Sequence, residues 1–201
     1  MADEQGRHEF IKETFGSFFS TFKEFKAAAS IGSKEAEVKK KPFRPPGAIE
    51  ESAFLKACTR CDECIKACPE NAIMKIIQPN SIAHLTPIIN FRESPCRLCH
   101  DLPCAKSCAT GALIKVELIS EVKIGIAKIN GTSCYAWLGQ DCEYCINSCP
   151  LTGEAILKDN DGRPVINETK CTGCGVCEHI CPVRIPAITI FNHVYSNLSN
   201  L

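Results

Sequence analysis

Between residues 10 and 26 five of the large apolar side chains, Ile11, Phe15, Phe18, Phe22 and Phe25, line up along one side, while Lys12, Glu13, Lys23, Glu24 and Lys26 lie on the other. Steps of four, three, four and three residues are the α-helical period, so an amphipathic helix is predicted over residues 1–29. Gly16 inside it costs about 1 kcal/mol against alanine, and the stripe therefore needs a surface to pack on. Ser30 to Gly47, with Lys39-Lys40-Lys41 and Pro42, Pro45 and Pro46, reads as an extended linker. From residue 48 to 191 the pattern changes to short runs suited to brief strands: Asn71 to Met74, Thr86 to Phe91, Gly111 to Ile114, Gly153 to Leu157 and Pro186 to Ile190. Val122, Ile124 and Ile126 alternate in a stretch reaching Lys128, and Pro164 to Asn167 follows the turn Asp159-Asn160-Asp161-Gly162. Residues 192–201 read as a tail. Every apolar run is interrupted far short of the ~18 residues that a membrane-spanning helix needs.

Composition changes the picture at one residue type. The 201 residues carry 23 basic and 23 acidic side chains, a balance that gives no electrostatic reason to expect nucleic acid or an anionic membrane as partner. They also carry 16 cysteines, all between Cys58 and Cys181. Met1 to Arg7 is mixed and acidic, with one arginine and no apolar run behind it, so a cytoplasmic location is expected, or a periplasmic one if a partner carries the chain or an export signal lies outside this sequence. A reducing compartment disfavours disulfides at this density and points to metal.

The cysteines divide into four quartets without remainder. Cys58, Cys61, Cys64 and Cys68 follow C-x2-C-x2-C-x3-C with Pro69 behind them, and Cys171, Cys174, Cys177 and Cys181 repeat that spacing ahead of Pro182. Cys96, Cys99, Cys104 and Cys108 lengthen the middle interval, while Cys134, Cys142, Cys145 and Cys149 lengthen the first. Two-residue gaps let a tight loop wrap three thiolates around three corners of a cubane cluster, and the outlying fourth serves the other cluster of a pair. Zinc would instead favour two separated knuckles closing on one tetrahedral ion. The sixteen cysteines are thus candidate iron ligands for four [4Fe-4S] clusters. The repeated order of strand, cysteine loop, short helix and strand predicts an α+β fold of two tandem ferredoxin-like modules, a four-cluster polyferredoxin.

Four complete quartets leave no open iron for a substrate, and no G-x-G-x-x-G or phosphate loop is present. Electron transfer is therefore the leading function and no catalytic residue is assigned. The alternatives are a cluster-dependent enzyme with its own substrate site and a structural cluster protein. Asp62, Glu63, Asp141 and Glu143 lie in or beside the first and third loops, and Arg97 and Lys106 in the second, an arrangement that would lower the first and third potentials relative to the second unless solvent screens it. His100 reads as a loop residue, and Tyr135 and Trp137 are expected to cover the third cluster.

With Arg44-Pro45-Pro46-Gly47-Ala48 ahead of the first quartet, Pro95-Cys96 opening the second and the long gap in the third, residues 44–182 resemble the NapG/MauM group of ferredoxin-type proteins. Ala109 stands where the other quartets are followed by proline. The resemblance implies an electron-transfer subunit relaying electrons between another carrier and a redox enzyme. That enzyme would be a pterin-dependent molybdenum or tungsten oxidoreductase, a hydrogenase or a quinol-oxidising partner. Docking is expected through Ile11, Phe15, Phe18, Phe22 and Phe25, with membrane association only peripheral, through that partner. The resemblance further implies that the first quartet pairs with the last and the second with the third. One cluster would take Cys58, Cys61, Cys64 and Cys181, and its partner Cys171, Cys174, Cys177 and Cys68. The inner two would take Cys96, Cys99 and Cys104 with Cys149, and Cys134, Cys142 and Cys145 with Cys108.

Overall fold

The apolar segments flanking the cysteine loops form strands of three or four residues that pair in twos. In the computed structural model, which describes residues 41–192, β1 (Ile73–Lys75) runs antiparallel to β2 (Pro87–Ile89), with Ile73 opposite Ile89. The segment ahead of the first quartet bridges the one that follows the second. Ala48 lies opposite Leu113, the Ile49 N–H donates to the Ala112 carbonyl at 3.2 Å, and the Ile114 N–H to that of Gly47 at 2.8 Å. The second half repeats this plan. β3 (Ile126–Ile129) pairs with β6 (Ile188–Phe191), and between them β4 (Ile156–Lys158) and β5 (Pro164–Ile166) form a hairpin. Each half is thus an outer strand, a cysteine loop, a hairpin, a second cysteine loop and a closing strand. This small mixed architecture fits the expected tandem of ferredoxin-like modules.

Five short helices complete the halves: α1 (Glu51–Ala57), α2 (Glu63–Lys66), α3 (Pro103–Lys106), α4 (Tyr144–Asn147) and α5 (Val176–Ile180). The Glu50 carboxylate caps α1 by accepting from the Ser52 and Ala53 N–H groups, and this helix turns the fully buried Phe54 inward. The other four are single turns too short to persist alone, and each carries the third cysteine of its quartet. Ile73, Ile89, Val122, Ile156, Val176 and Ile188 of both halves join one continuous core, to which Cys96, Cys104, Cys145, Cys171 and Cys174 also belong.

The predicted linker ends earlier than expected. Pro45 and Pro46 are fully buried, the Phe43 carbonyl accepts from the Ile89 N–H at 2.9 Å, and the Phe43 and Phe91 rings lie 4.8 Å apart. Residues 41–47 therefore belong to the cluster body, because apolar side chains placed between prolines have a core to join there. Arg44 is buried with them. Its guanidinium pairs with Glu51 at 2.5 Å, donates to the Thr86 hydroxyl and the Pro87 carbonyl at 2.8 Å each, and lies over the Phe54 ring at 4.6 Å. The alternation at Val122 and Ile124 makes no strand of its own. Both side chains are buried, but Val122 caps a 3₁₀ turn (Ile119–Glu121) and the Ile124 N–H goes to the Thr172 carbonyl. The phenylalanine stripe and the tail from residue 193 onward lie outside the described residues.

Candidate metal centres

Each cysteine loop is bent by left-handed residues at repeated places. In three loops the residue before the second cysteine has positive φ: Arg60 at 62°, Leu98 at 52° and Gly173 at 68°. The residue just ahead of the single-turn helix repeats it, with Asp62 at 69°, Leu102 at 44° and Gly175 at 83°. Four of the six carry a Cβ, a conformation that costs roughly 1–2 kcal/mol per residue and persists only where the surroundings enforce it. What it accomplishes is to curl three thiols inward around one centre. In the third loop the seven-residue gap, which includes Gly139 at φ 80°, replaces the first bend.

Four apolar cavities result, each lined by four cysteines. Cys58, Cys61, Cys64 and Cys108 line the first, and Cys96, Cys99, Cys104 and Cys68 the second. Cys171, Cys174, Cys177 and Cys149 line the third, and Cys134, Cys142, Cys145 and Cys181 the fourth. None of the sixteen forms a disulfide. Among the described residues, no three His, Cys, Asp or Glu side chains stand where one metal ion would be held, so the thiols ring cavities rather than converge on a point. That donor set, three thiols from one loop and one from outside it around an apolar space, fits a cubane cluster.

The grouping corrects the pairing that the resemblance implied. Cys108, not Cys181, completes the site of Cys58, Cys61 and Cys64; Cys68 completes that of Cys96, Cys99 and Cys104. Cys149 joins Cys171, Cys174 and Cys177, and Cys181 joins Cys134, Cys142 and Cys145. The reason lies in the strand pairs. The hairpin β1–β2 folds the second quartet back beside the first and the Ala48–Leu113 bridge closes that pair, just as β4–β5 and β3–β6 do for the last two. Exchange between neighbouring quartets closes short loops; exchange between the first and last would close much longer ones at greater entropic cost.

Burial dominates the thiol chemistry. It pushes Cys64, Cys96 and Cys145 up to about 12 and Cys104 and Cys174 up to about 11, and neighbouring thiols add to the shift. Cys177 is raised well above its ordinary value for the same reason. Such thiols ionise only when positive charge arrives with the ligand, which is what iron supplies. Cys108 differs: burial works upward there but is outweighed by hydrogen bonds from the Leu113 N–H at 3.3 Å and from Thr110, and the thiol falls below its usual range. The Ala72 N–H donates in the same way to Cys68 Sγ at 3.4 Å and the Ala127 N–H to Cys171 Sγ at 3.5 Å.

Among the described residues, the charged side chains that the sequence places in or beside the loops are paired, Asp141 excepted. Asp62 pairs with Lys75 at 2.5 Å, Glu63 with Lys66 at 2.8 Å, Glu143 with Lys158, Arg97 with Glu70 at 3.9 Å and Lys106 with Asp101 at 2.7 Å. Local neutralisation of this kind works against the contrast in potential expected from those charges. Tyr135 lines the fourth cavity as expected, whereas Trp137 stands outside that lining, half-exposed, with its indole N–H on the Pro164 carbonyl at 3.2 Å and Arg163 over its ring. His100 is exposed in its loop. Sequence reasoning did not find Gly125 or Gly173. A Cβ on Gly173 would lie 2.3 Å from the Gly125 backbone, so two chain segments meet there with no room for a side chain.

The four cavities form a series. The helices that carry Cys64 of the first and Cys104 of the second pack together, the Cys96 N–H of the second donates to the Cys174 carbonyl of the third at 3.0 Å, and the helices that carry Cys177 of the third and Cys145 of the fourth pack together. Among the described residues no helix is long and apolar enough to cross a membrane.

Comparison with known proteins agrees with this geometry. The family described as 4Fe-4S dicluster domain matches residues 57–112 and 140–185, one segment per module. The chain is 36% identical over 160 residues to the ferredoxin-type protein NapG of Escherichia coli (strain K12), covering 74% of this chain and 69% of that one. To the methylamine utilization ferredoxin-type protein MauM of Paracoccus denitrificans (strain Pd 1222) it is 36% identical over 171 residues, 81% and 76% of the two chains. To MauM of Methylorubrum extorquens it is 40% identical over 160 residues, 75% and 72% of the two. Two dicluster segments and sixteen cysteines in four cavities fit four [4Fe-4S] clusters, and the chain belongs to the NapG and MauM family of ferredoxin-type iron–sulfur electron-transfer proteins.

Proposed function

We propose that this protein is a non-catalytic subunit in which four [4Fe-4S] clusters, one in each cysteine-lined cavity, relay electrons between a redox enzyme and another carrier. One observation carries the reading: each cavity takes three thiols from one loop and the fourth from the neighbouring loop of the same module, so all sixteen cysteines are used and none is left over. The clusters supply one-electron storage and transfer. The chain supplies thiolates, apolar walls that exclude water, N–H groups aimed at Cys68, Cys108 and Cys171, and an order of four sites in a row. Cys61 is exposed at the first site and Tyr144 beside the fourth, which gives the series an accessible residue at both ends.

The name of MauM ties that relative to methylamine utilization. For this chain the proposed partner is a redox enzyme or a quinol-oxidising subunit, and the stripe Ile11, Phe15, Phe18, Phe22 and Phe25 is the segment proposed to dock it. The test is anaerobic purification followed by metal and sulfide analysis. About sixteen iron and sixteen acid-labile sulfide per chain are expected from four clusters. Stoichiometric zinc, or iron near four, would overturn the reading. Deleting residues 2–29 should leave that iron in place and abolish co-purification with the partner.

A further inference from the structure

Lys123 lies between the two modules' cysteine loops in sequence and belongs to neither, yet the fold ties it to one cluster site. Its ammonium donates to the Thr169 carbonyl at 2.8 Å and to the Cys171 carbonyl at 3.3 Å, across 46 and 48 residues of sequence. Cys171 is one of the four thiols of the third cavity, and its Sγ accepts from the Ala127 N–H, four residues on from Lys123. A positive charge is therefore fixed against the backbone of a residue that lines this site.

The same site carries an opposing charge. Glu178 follows Cys177 in α5 and is buried; its Oε2 accepts from the N–H of Ile190, itself part of the cavity wall, at 2.8 Å. The cation nearest that carboxylate, Arg92, is largely exposed and 3.8 Å away. Burial of Cys171 and Cys174 adds a second penalty, because a reduced cluster carries one more negative charge than an oxidised one and a low dielectric disfavours it. An interior site next to a buried carboxylate is thus disfavoured for reduction, and it sits in the middle of the series.

We propose that Lys123 is an electrostatic positioning residue that raises the reduction potential of the cluster held by Cys149, Cys171, Cys174 and Cys177, offsetting Glu178 and keeping the interior of the relay accessible to electrons. This rests on the four-cluster reading above. Reduction adds one electron to that cluster; Lys123 exchanges neither electron nor bond and acts through its charge alone. Because the ammonium is exposed on its outer side, the effect is moderate and falls with salt, since the screening length shrinks from about 10 Å at 0.1 M to about 3 Å at 1 M.

The experiment is a potentiometric titration of the full, iron-loaded chain followed by paramagnetic resonance, with the signal of this cluster assigned through Cys149→Ser. Lys123→Gln should lower the equilibrium constant for its reduction about threefold to tenfold, where tenfold is about 59 mV for one electron. Lys123→Arg should hold it at the wild-type value, and the difference between Gln and wild type should shrink at 1 M salt. Unchanged potential in Lys123→Gln on a chain with full iron content overturns this inference alone. So does an equal shift of all four signals, a loss of iron, or Lys123→Arg behaving like Lys123→Gln, each of which would mark Lys123 as a structural tie. A wild-type chain without four-iron clusters would instead overturn the functional reading, and this inference with it.

Discussion

The backbone N–H of Cys96 donates to the carbonyl of Cys174 at 3.0 Å, joining a cysteine of the second site directly to one of the third. The two modules meet through their own cysteine loops. Around this bond the His179 ring is hydrogen-bonded to the Phe91 carbonyl at 3.1 Å, and Gly175 packs against the Phe91 ring where a Cβ would come within 2.1 Å of it. Short separation between neighbouring sites is thus built from cysteine-bearing backbone.

The exchange of fourth cysteines gives the first prediction. Cys108→Ser should alter the spectrum of the cluster bound by Cys58, Cys61 and Cys64, and Cys181→Ser that of the cluster bound by Cys134, Cys142 and Cys145. Resonance spectra of the two variants decide it. If Cys181→Ser instead perturbs the first cluster, the exchange runs between the ends of the chain.

Gly173 supports the junction by having no side chain. Its φ of 68° and the 2.3 Å that would separate a Cβ from Gly125 leave no relaxed position for alanine. Gly173→Ala is expected to lower the iron content by about one cluster's worth, from the third site, while the first module keeps its own. Iron analysis together with thermal melting checks this, and full iron with an unchanged melt would contradict it.

Arg44 and Glu51 form a buried pair whose remaining donors go to Thr86 and Pro87. Removing one member strands a charge in the core, so Glu51→Ala should destabilise the protein by about 3–5 kcal/mol. Denaturant unfolding of the anaerobic protein measures it. A loss below about 1 kcal/mol would mean that the pair is solvated.

The raised thiols predict how the iron-free chain responds to pH. With the folded values near 11 to 12 for Cys64, Cys96, Cys104, Cys145 and Cys174, against an ordinary 9, the folded form keeps protons that the unfolded form gives up. The stability this represents is complete below pH 9 and is lost as pH rises through 11 to 12. Urea midpoints of the reduced, iron-free chain should fall as pH is raised from about 8 to about 10.5. In the iron-loaded chain, where the thiols are already ionised by the metal, they should not.

Much of the site was legible because cysteine spacing is a local property. A gap of two or three residues fixes how far apart thiols on one loop can lie, and so the three-plus-one division of each quartet could be read directly. The short strands were legible for a similar reason, since small residues followed by Ile or Leu suit a half-buried strand wherever it pairs. Residues 41–47 were not, because prolines and lysines look alike in a linker and in a packed arm; only the pocket that receives Phe43, Pro45 and Pro46 distinguishes them.

The sequence by itself determined the identity and number of the candidate ligands, the repeat of four loops and the α+β character of the fold, all of which depend on residues close together in the chain. Tertiary structure decided which fourth cysteine closes which site, which charges cancel, and which lysine reaches a ligand's carbonyl. Those outcomes depend on the β1–β2, β3–β6 and β4–β5 pairings and on contacts such as Lys123 with Cys171, 48 residues apart. Spacing along a chain constrains geometry only over a few residues; beyond that, loop length biases the closures, and strand pairing and burial select among them.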